Sequence, residues 1–116
     1  MVKSRFVPER GDIVWLDFSP QSGHEQAGRR PAIVLSPHSY NLHSKLALVC
    51  PVTSREKGYP FEVVIPDGFK VKGVILADHI KSVDFESRNC ELIFKIPETI
   101  SEEVEKKLLP ILRRSA

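Results

Sequence analysis

Gly11-Asp12-Ile13-Val14-Trp15-Leu16-Asp17-Phe18-Ser19-Pro20 decides how this chain folds. A glycine before the run and Ser-Pro after it punctuate a strand over Asp12–Phe18. Alternation sets Ile13 and Trp15 on one face and Val14, Leu16 and Phe18 on the other. Both faces are apolar, so the strand is buried on both sides, in a small barrel or beneath a helix.

The next segment, Gly23-His24-Glu25-Gln26-Ala27-Gly28-Arg29-Arg30-Pro31, packs an acid, an imidazole, an amide and two guanidiniums into one loop. A second strand, Ala32–Leu35, follows at once. Charged loops beside a rigid strand are where binding and catalysis concentrate. Arg30 precedes a proline, which biases its backbone towards an extended conformation at the first residue of that strand. The bland alternative is a solvated hairpin loop.

Ser36–Asn41 breaks the pattern and suits one helical turn. Leu46–Val52 reads as a third strand, with Pro51 pointing to an edge or bulge near its end. Phe61–Ile65 alternates, with Phe61, Val63 and Ile65 inward and Glu62 outward. Pro66-Asp67-Gly68 is a turn. Val74–Ala77 and Ile80–Val83 read as a strand broken or bent near Asp78-His79, and Leu92–Phe94 is a last short strand. The period then changes. Ile100, Val104 and Leu108 recur every fourth residue, with Leu109, Ile111 and Leu112 beside them, as in an amphipathic helix packed on a sheet. Thr99-x-x-Glu102 has capping-box spacing, and Pro110 is expected to kink or end the helix. The elements compose a compact, barrel-like sheet with a helix across it.

The bulk properties narrow the function. The 116 residues suit one domain, 1–116, and 41% hydrophobic with 28% charged residues is a globular composition. A formal net charge of +2 is too small to argue nucleic-acid binding by itself. Clustering matters more: Arg29, Arg30, Arg55 and Lys57 fall in two loops. Cys50 and Cys90 form no CxxC motif and no zinc spacing, as for reduced cysteines of a cytoplasmic protein. Lys3, Arg5, Glu9 and Arg10 interrupt any signal peptide, and no apolar run is long enough to span a membrane.

Taken together, Gly11–Phe18, Gly23–Pro37, Cys50-Pro51-Val52-Thr53-Ser54 and Lys57–Val63 resemble the MazF/PemK branch of type II toxin–antitoxin toxins. The likeness runs from about Val7 into the C-terminal helix. Its specific core is Glu-Gln-x-Gly-x-Arg-Pro ahead of an apolar strand and a Pro-x-Thr-Ser segment. The resemblance implies a mostly β (α+β) fold, a small SH3-like barrel of short strands with a C-terminal helix, as in MazF, Kid and CcdB. It also implies a dimerising, metal-independent endoribonuclease without cofactor. Such an enzyme cuts single-stranded RNA, mainly mRNA, at a short sequence and leaves a 2′,3′-cyclic phosphate and a 5′-hydroxyl. A cognate, MazE-like antitoxin would block the RNA groove with an acidic, extended segment.

By this resemblance the catalytic arginine falls on Arg30, whose planar fork of donors matches phosphate geometry. The catalytic threonine falls on Thr53, a hydroxyl able to donate to a phosphate oxygen. Glu25 matches a loop glutamate that serves either as general base or to fix Arg30. Arg29 is the rival cation, a solvated loop residue or a weak phosphate contact. His24 is an RNA contact rather than an acid or base, and Gln26 joins the RNA-binding set. Asp78 and His79 match residues that hydrogen-bond bases, with Lys81 a nearby cation. Some relatives place an Arg-x-Asp pair at this point; here Leu76-Ala77-Asp78 lacks the arginine. Ser54, Arg55, Lys57 and Tyr59 sit in a loop that would clasp RNA by charge and stacking, unless Tyr59 is only a hinge anchor beside Pro60.

Two other functions fit the same fold. A gyrase-poisoning, CcdB-like toxin would keep its determinants at the C-terminus, but Leu112-Arg113-Arg114-Ser115-Ala116 lacks the terminal Trp-Gly-Ile of those toxins. A catalytically silent antitoxin-binding module would be favoured by loss of Arg30 or Thr53, and both are present.

Overall fold

The computed structural model describes residues 6–18 and 28–113. Its elements are β1 (Asp12–Phe18), β2 (Gly28–Val34), α1 (His38–Ser44), β3 (Ala47–Thr53), β4 (Glu62–Val64), β5 (Val74–Leu76), a 3-10 turn (Ala77–His79), β6 (Lys81–Val83), β7 (Glu91–Lys95) and α2 (Glu98–Leu112). The strands pair antiparallel in the order β4-β5-β3-β2-β1-β7, with β6 joined to β3. Among the described residues the two ends, β4 and β7, do not pair, so the curled sheet stays open.

The double-sided character of β1 is realised as two cores. Ile13 joins Ile33, Cys50, Val52, Val63 and Ile75 beneath α2. Val14, Leu16 and Phe18 join Ala32, Val34, Val49, Val83 and Phe85 on the opposite face. Trp15 closes the first face incompletely and stays 39% exposed. Ile100, Val104 and Leu108 form the buried stripe of α2, as their spacing requires.

Several local expectations are revised. β2 begins at Gly28, so Arg30 lies inside the strand, paired with Leu16. Pro51 sits in a central strand, not at an edge. Leu35 N–H donates to the Leu48 carbonyl, so by alternation Pro51 turns its nitrogen away from β2. On that other side β3 changes partner, from β6 at Val49 to β5 at Val52. The missing donor falls in the gap. The Thr99–Glu102 capping box does not form: α2 starts at Glu98 with Pro97 at its N-cap and no side-chain cap. Arg10 instead holds this end. Its Nε lies 3.0 Å from Glu98 Oε2, its Nη1 donates to the Leu35 carbonyl at 3.1 Å, and it also pairs with Glu105. Pro110 does not end the helix, which runs to Leu112 and closes with Arg113 N–H on the Leu109 carbonyl at 2.9 Å. So near the C-terminus proline costs one bond, to a carbonyl that water can satisfy. Leu109, Ile111 and Leu112 lie outside the buried stripe and are exposed.

Glu62 departs most from its expected place. It is 7% exposed, whereas its neighbour Val64 is 55% exposed. The 54–61 segment folds over it, so the carboxylate faces backbone donors rather than water.

Candidate active site

Strand pairing brings the separated candidates together. On β2, Arg30, Ala32 and Val34 share a face; on β3, Val49, Pro51 and Thr53 share the same one, because Ala32 pairs with Pro51 and Val34 with Val49. Carried past Pro31, which cannot donate to β3, this register sets Arg30 across from Thr53. Lys81 pairs with Val49 and so joins this face. Its Nζ reaches over β3 and β2 to lie 5.8 Å from the Phe18 ring centre, a cation–π contact. The 3-10 turn runs beside Cys50–Pro51, with the Cys50 thiol 3.7 Å from the Ala77 carbonyl. That contact lies in the core beneath α2, on the sheet face opposite Arg30 and Thr53; Asp78 and His79 follow in the turn, with Oδ1 and Nε2 3.9 Å apart.

Thr53 is buried at 8% exposure, and its Oγ1 accepts the Arg55 backbone N–H at 3.2 Å. With that lone pair occupied, the hydroxyl hydrogen is free to donate elsewhere. Arg30 is half-buried. A cation and a hydroxyl held here in a partly desolvated place act more strongly on an anion than they would in water. Ser54, Arg55, Lys57 and Tyr59 are exposed on the following loop, where the Lys57 ammonium lies 6.0 Å from the Tyr59 ring centre.

Gly73 supports Thr53 from behind. Its φ is 127°, and a Cβ there would collide with the Thr53 carbonyl oxygen. Gly73→Ala is therefore expected to push Thr53 and Ser54 out of line and to lower stability by about 1–3 kcal/mol. Thermal denaturation checks this: an unchanged melting temperature would show that the two backbones are not closely packed.

Arg29 alternates to the opposite face of β2. It pairs with Asp17 Oδ1 at 2.9 Å and with Glu91, a brace across β2, β1 and β7. Asn89 donates to Asp17 Oδ2 at 2.7 Å. The Asn89 amide and the Arg29 guanidinium together hold the Asp17 carboxyl below its ordinary value. His24, Glu25 and Gln26 lie outside the described residues.

Sequence reasoning missed Glu62, Gly73 and the Asp17–Arg29–Glu91 brace. Only a lone acid inside the apolar run Phe61–Ile65 could have flagged the first. Both cysteines are free. Burial, first, pushes each thiol up to about 12, with Asp78 adding to the effect at Cys50 and Asp12 at Cys90. Neither is a thiolate at neutral pH, so neither is a nucleophile. Among the described residues no group of three or more His, Cys, Asp or Glu side chains is placed to hold a metal ion, and no helix is long and apolar enough to cross a membrane.

A cation and a buried hydroxyl on one face of a small open antiparallel sheet, with further cations on the following loop, form an arrangement chemically suited to an anion. Comparison with known proteins gives the family. The chain belongs to the PemK-like, MazF-like toxin family of type II toxin–antitoxin systems, whose model matches residues 9–112. It is 52% identical over 85 residues to the endoribonuclease toxin MazF of Escherichia coli K12, covering 73% of this chain and 76% of that one. It is 33% identical to the endoribonuclease PemK of Escherichia coli, covering 97% of this chain and 87% of that one. The crystal structure of MazF from Deinococcus radiodurans superposes with a TM-score of 0.89 at 53% identity, covering 93% of this chain and 98% of that one. A MazE–MazF structure from the same organism gives 0.85 at 52% identity, covering 96% and 100%. These relationships place the chain among the endoribonuclease toxins, and the gyrase-poisoning alternative is not favoured.

Proposed function

We propose that this toxin cuts single-stranded RNA, mainly mRNA, at a short sequence, using the RNA's own 2′-hydroxyl as nucleophile and no bound metal. The observation that carries the reading is the shared face of Arg30 and Thr53, set by the β2–β3 register. In this mechanism the 2′-oxygen attacks the adjacent phosphorus and the bond to the 5′-oxygen breaks. The products are a 2′,3′-cyclic phosphate and a 5′-hydroxyl: the 2′-hydroxyl gives up one proton and the leaving 5′-oxygen takes one from solvent water. Arg30 stabilises the charge that grows on the phosphate, and the Thr53 hydroxyl donates to a non-bridging oxygen. Glu25 is the carboxylate proposed to take the 2′-hydroxyl proton or to fix Arg30. Arg55, Lys57 and Tyr59 hold the strand by charge and stacking, with Ser54 beside them. Asp78, His79 and Lys81, together with His24 and Gln26, contact bases and backbone. Arg29 adds at most a weak phosphate contact, since Asp17 and Glu91 already engage it.

The proposal includes a homodimer whose RNA groove spans both subunits. The exposed Val64, Leu109, Ile111 and Leu112 support it as apolar surface for a second copy. It also includes a MazE-like antitoxin that lays an acidic, extended segment along the cationic face; relatives solved as MazE–MazF structures support the antitoxin partner. The two unpaired cysteines, Cys50 buried and Cys90 partly buried, fit a cytoplasmic protein.

The test is to incubate the purified protein with a long RNA in excess EDTA and to map new 5′ ends. Cuts at a recurring short sequence are expected; intact RNA would overturn the reading. Thr53→Val keeps the branched shape and deletes the hydroxyl. It is expected to lower kcat by about 10–100-fold with a smaller change in RNA affinity, and to cost about 1 kcal/mol of stability because the Arg55 N–H loses its acceptor. Single-turnover kinetics at saturating RNA checks this, and an unchanged rate would make Thr53 a structural residue.

A further inference from the structure

We propose that Glu62 is the positioning residue of the RNA-clasping loop, an internal anion that locks the backbone carrying Arg55, Lys57 and Tyr59. The inference rests on the ribonuclease reading and adds to it a residue placed outside the reacting groups.

The loop from 54 to 61 contains no helix or strand. Its backbone is tied by side chains near each end, and Ala77 N–H also donates to the Phe61 carbonyl at 3.0 Å. At its start, Arg55 N–H donates to Thr53 Oγ1 at 3.2 Å. At its far end, Glu62 accepts from two successive amides: Gly58 N–H reaches Oε1 at 2.9 Å, and Lys57 N–H reaches Oε2 at 3.1 Å. Gly58 has φ 80°, a left-handed turn that carries the chain on past the two amides. Successive N–H groups turned to one side form a concavity that binds anions. Here the protein fills that concavity with its own carboxylate. Glu62 is 7% exposed, so the bonds form away from water and are charge-assisted.

Glu62 is itself braced. Its N–H donates to the Tyr59 carbonyl at 3.1 Å, and its own carbonyl accepts Lys107 Nζ from α2 at 2.8 Å. The Lys57 and Tyr59 side chains project from this segment, with the ammonium 6.0 Å from the ring centre. A loop held in its binding shape loses less entropy when RNA arrives. Release of the lock therefore weakens RNA capture. The tie at Arg55 and Thr53 is separate and stays in place, so the chemical step is little affected.

The experiment measures KM and kcat on a labelled single-stranded RNA carrying the mapped cut sequence, together with amide hydrogen exchange without RNA. Glu62→Ala is expected to raise KM on the order of tenfold with kcat within about threefold, and to speed exchange at Lys57 and Gly58. Glu62→Gln, which keeps one acceptor oxygen, is expected to raise KM by only about threefold. Lys57→Ala should raise KM in the wild-type background and add nothing in Glu62→Ala, because an unlocked loop no longer presents that cation. A general loss of stability would instead leave the Lys57→Ala effect the same in both backgrounds, and that result overturns the proposal. So does an unchanged KM in folded Glu62→Ala. If Glu62→Ala is recovered unfolded, the Glu62→Gln comparison decides, and an unchanged KM there has the same force. A wild-type protein that cuts no RNA refutes the ribonuclease reading, whereas a wild type that cuts while Glu62→Ala keeps its KM refutes only the lock.

Discussion

Arg30→Ala is expected to lower the rate of RNA cleavage at saturating substrate by about 10²–10³-fold while leaving the fold intact. The site supplies the reason. Arg30 is half-buried on the sheet face that also carries Thr53, so its charge is set before the substrate arrives. Electrostatic stabilisation of this kind costs no reorganisation during the reaction, and its loss appears in kcat. Arg30→Lys should recover little, because an ammonium cannot present two parallel donors to a phosphate. Stability should change little, because the neighbouring Ala32, Val34 and Leu16 carry the packing. Single-turnover kinetics beside a thermal melt separates the two effects. Undiminished cutting by a folded Arg30→Ala protein would remove Arg30 from the mechanism.

A larger effect is expected from the substrate. An RNA with a single 2′-deoxy sugar just 5′ of the cut should not be cleaved at that position, while the all-ribose strand is cut in excess EDTA. The proposed mechanism draws its nucleophile from that one hydroxyl, so its removal deletes a reactant rather than weakening a contact. Arg30 and the Thr53 hydroxyl suit this route, since one supplies fixed positive charge and the other a hydrogen-bond donor at a phosphate. Gel analysis of matched oligonucleotides, with the product end identified as a 2′,3′-cyclic phosphate, is the measurement. If the deoxy strand is cut as fast as the ribose strand, water is the nucleophile. The base role proposed for Glu25 would then fall as well.

Much of the fold was legible because local patterns agreed with tertiary need. Alternation in Asp12–Phe18 placed Ile13 and Val14 in opposite cores, and the four-residue spacing of Ile100, Val104 and Leu108 gave the buried stripe of α2. Local rules failed where distant groups intervened. Thr99 and Glu102 have capping spacing, yet Pro97 and the Arg10–Glu98 pair set the start of the helix. Glu62 obeys the outward phase of its strand by count, yet two amides of the preceding loop bury it. Arg29 and Arg30 are neighbours of identical chemistry. Alternation sends one to Asp17 and Glu91 and the other to the site face, and only the pairing partners say which goes where.

The sequence by itself determined the element types, the two-sided burial of β1 and the family, since these rest on residue order and on motifs that are contiguous in the chain. Only the tertiary structure decided that Arg30 and Thr53 share a sheet face, that Pro51 lies where β3 exchanges β6 for β5, and that the Glu62 carboxylate accepts two amides of the preceding loop. The physical reason is register. A one-residue slip in strand pairing moves every side chain to the other face, and register is fixed by burial across strands far apart in sequence.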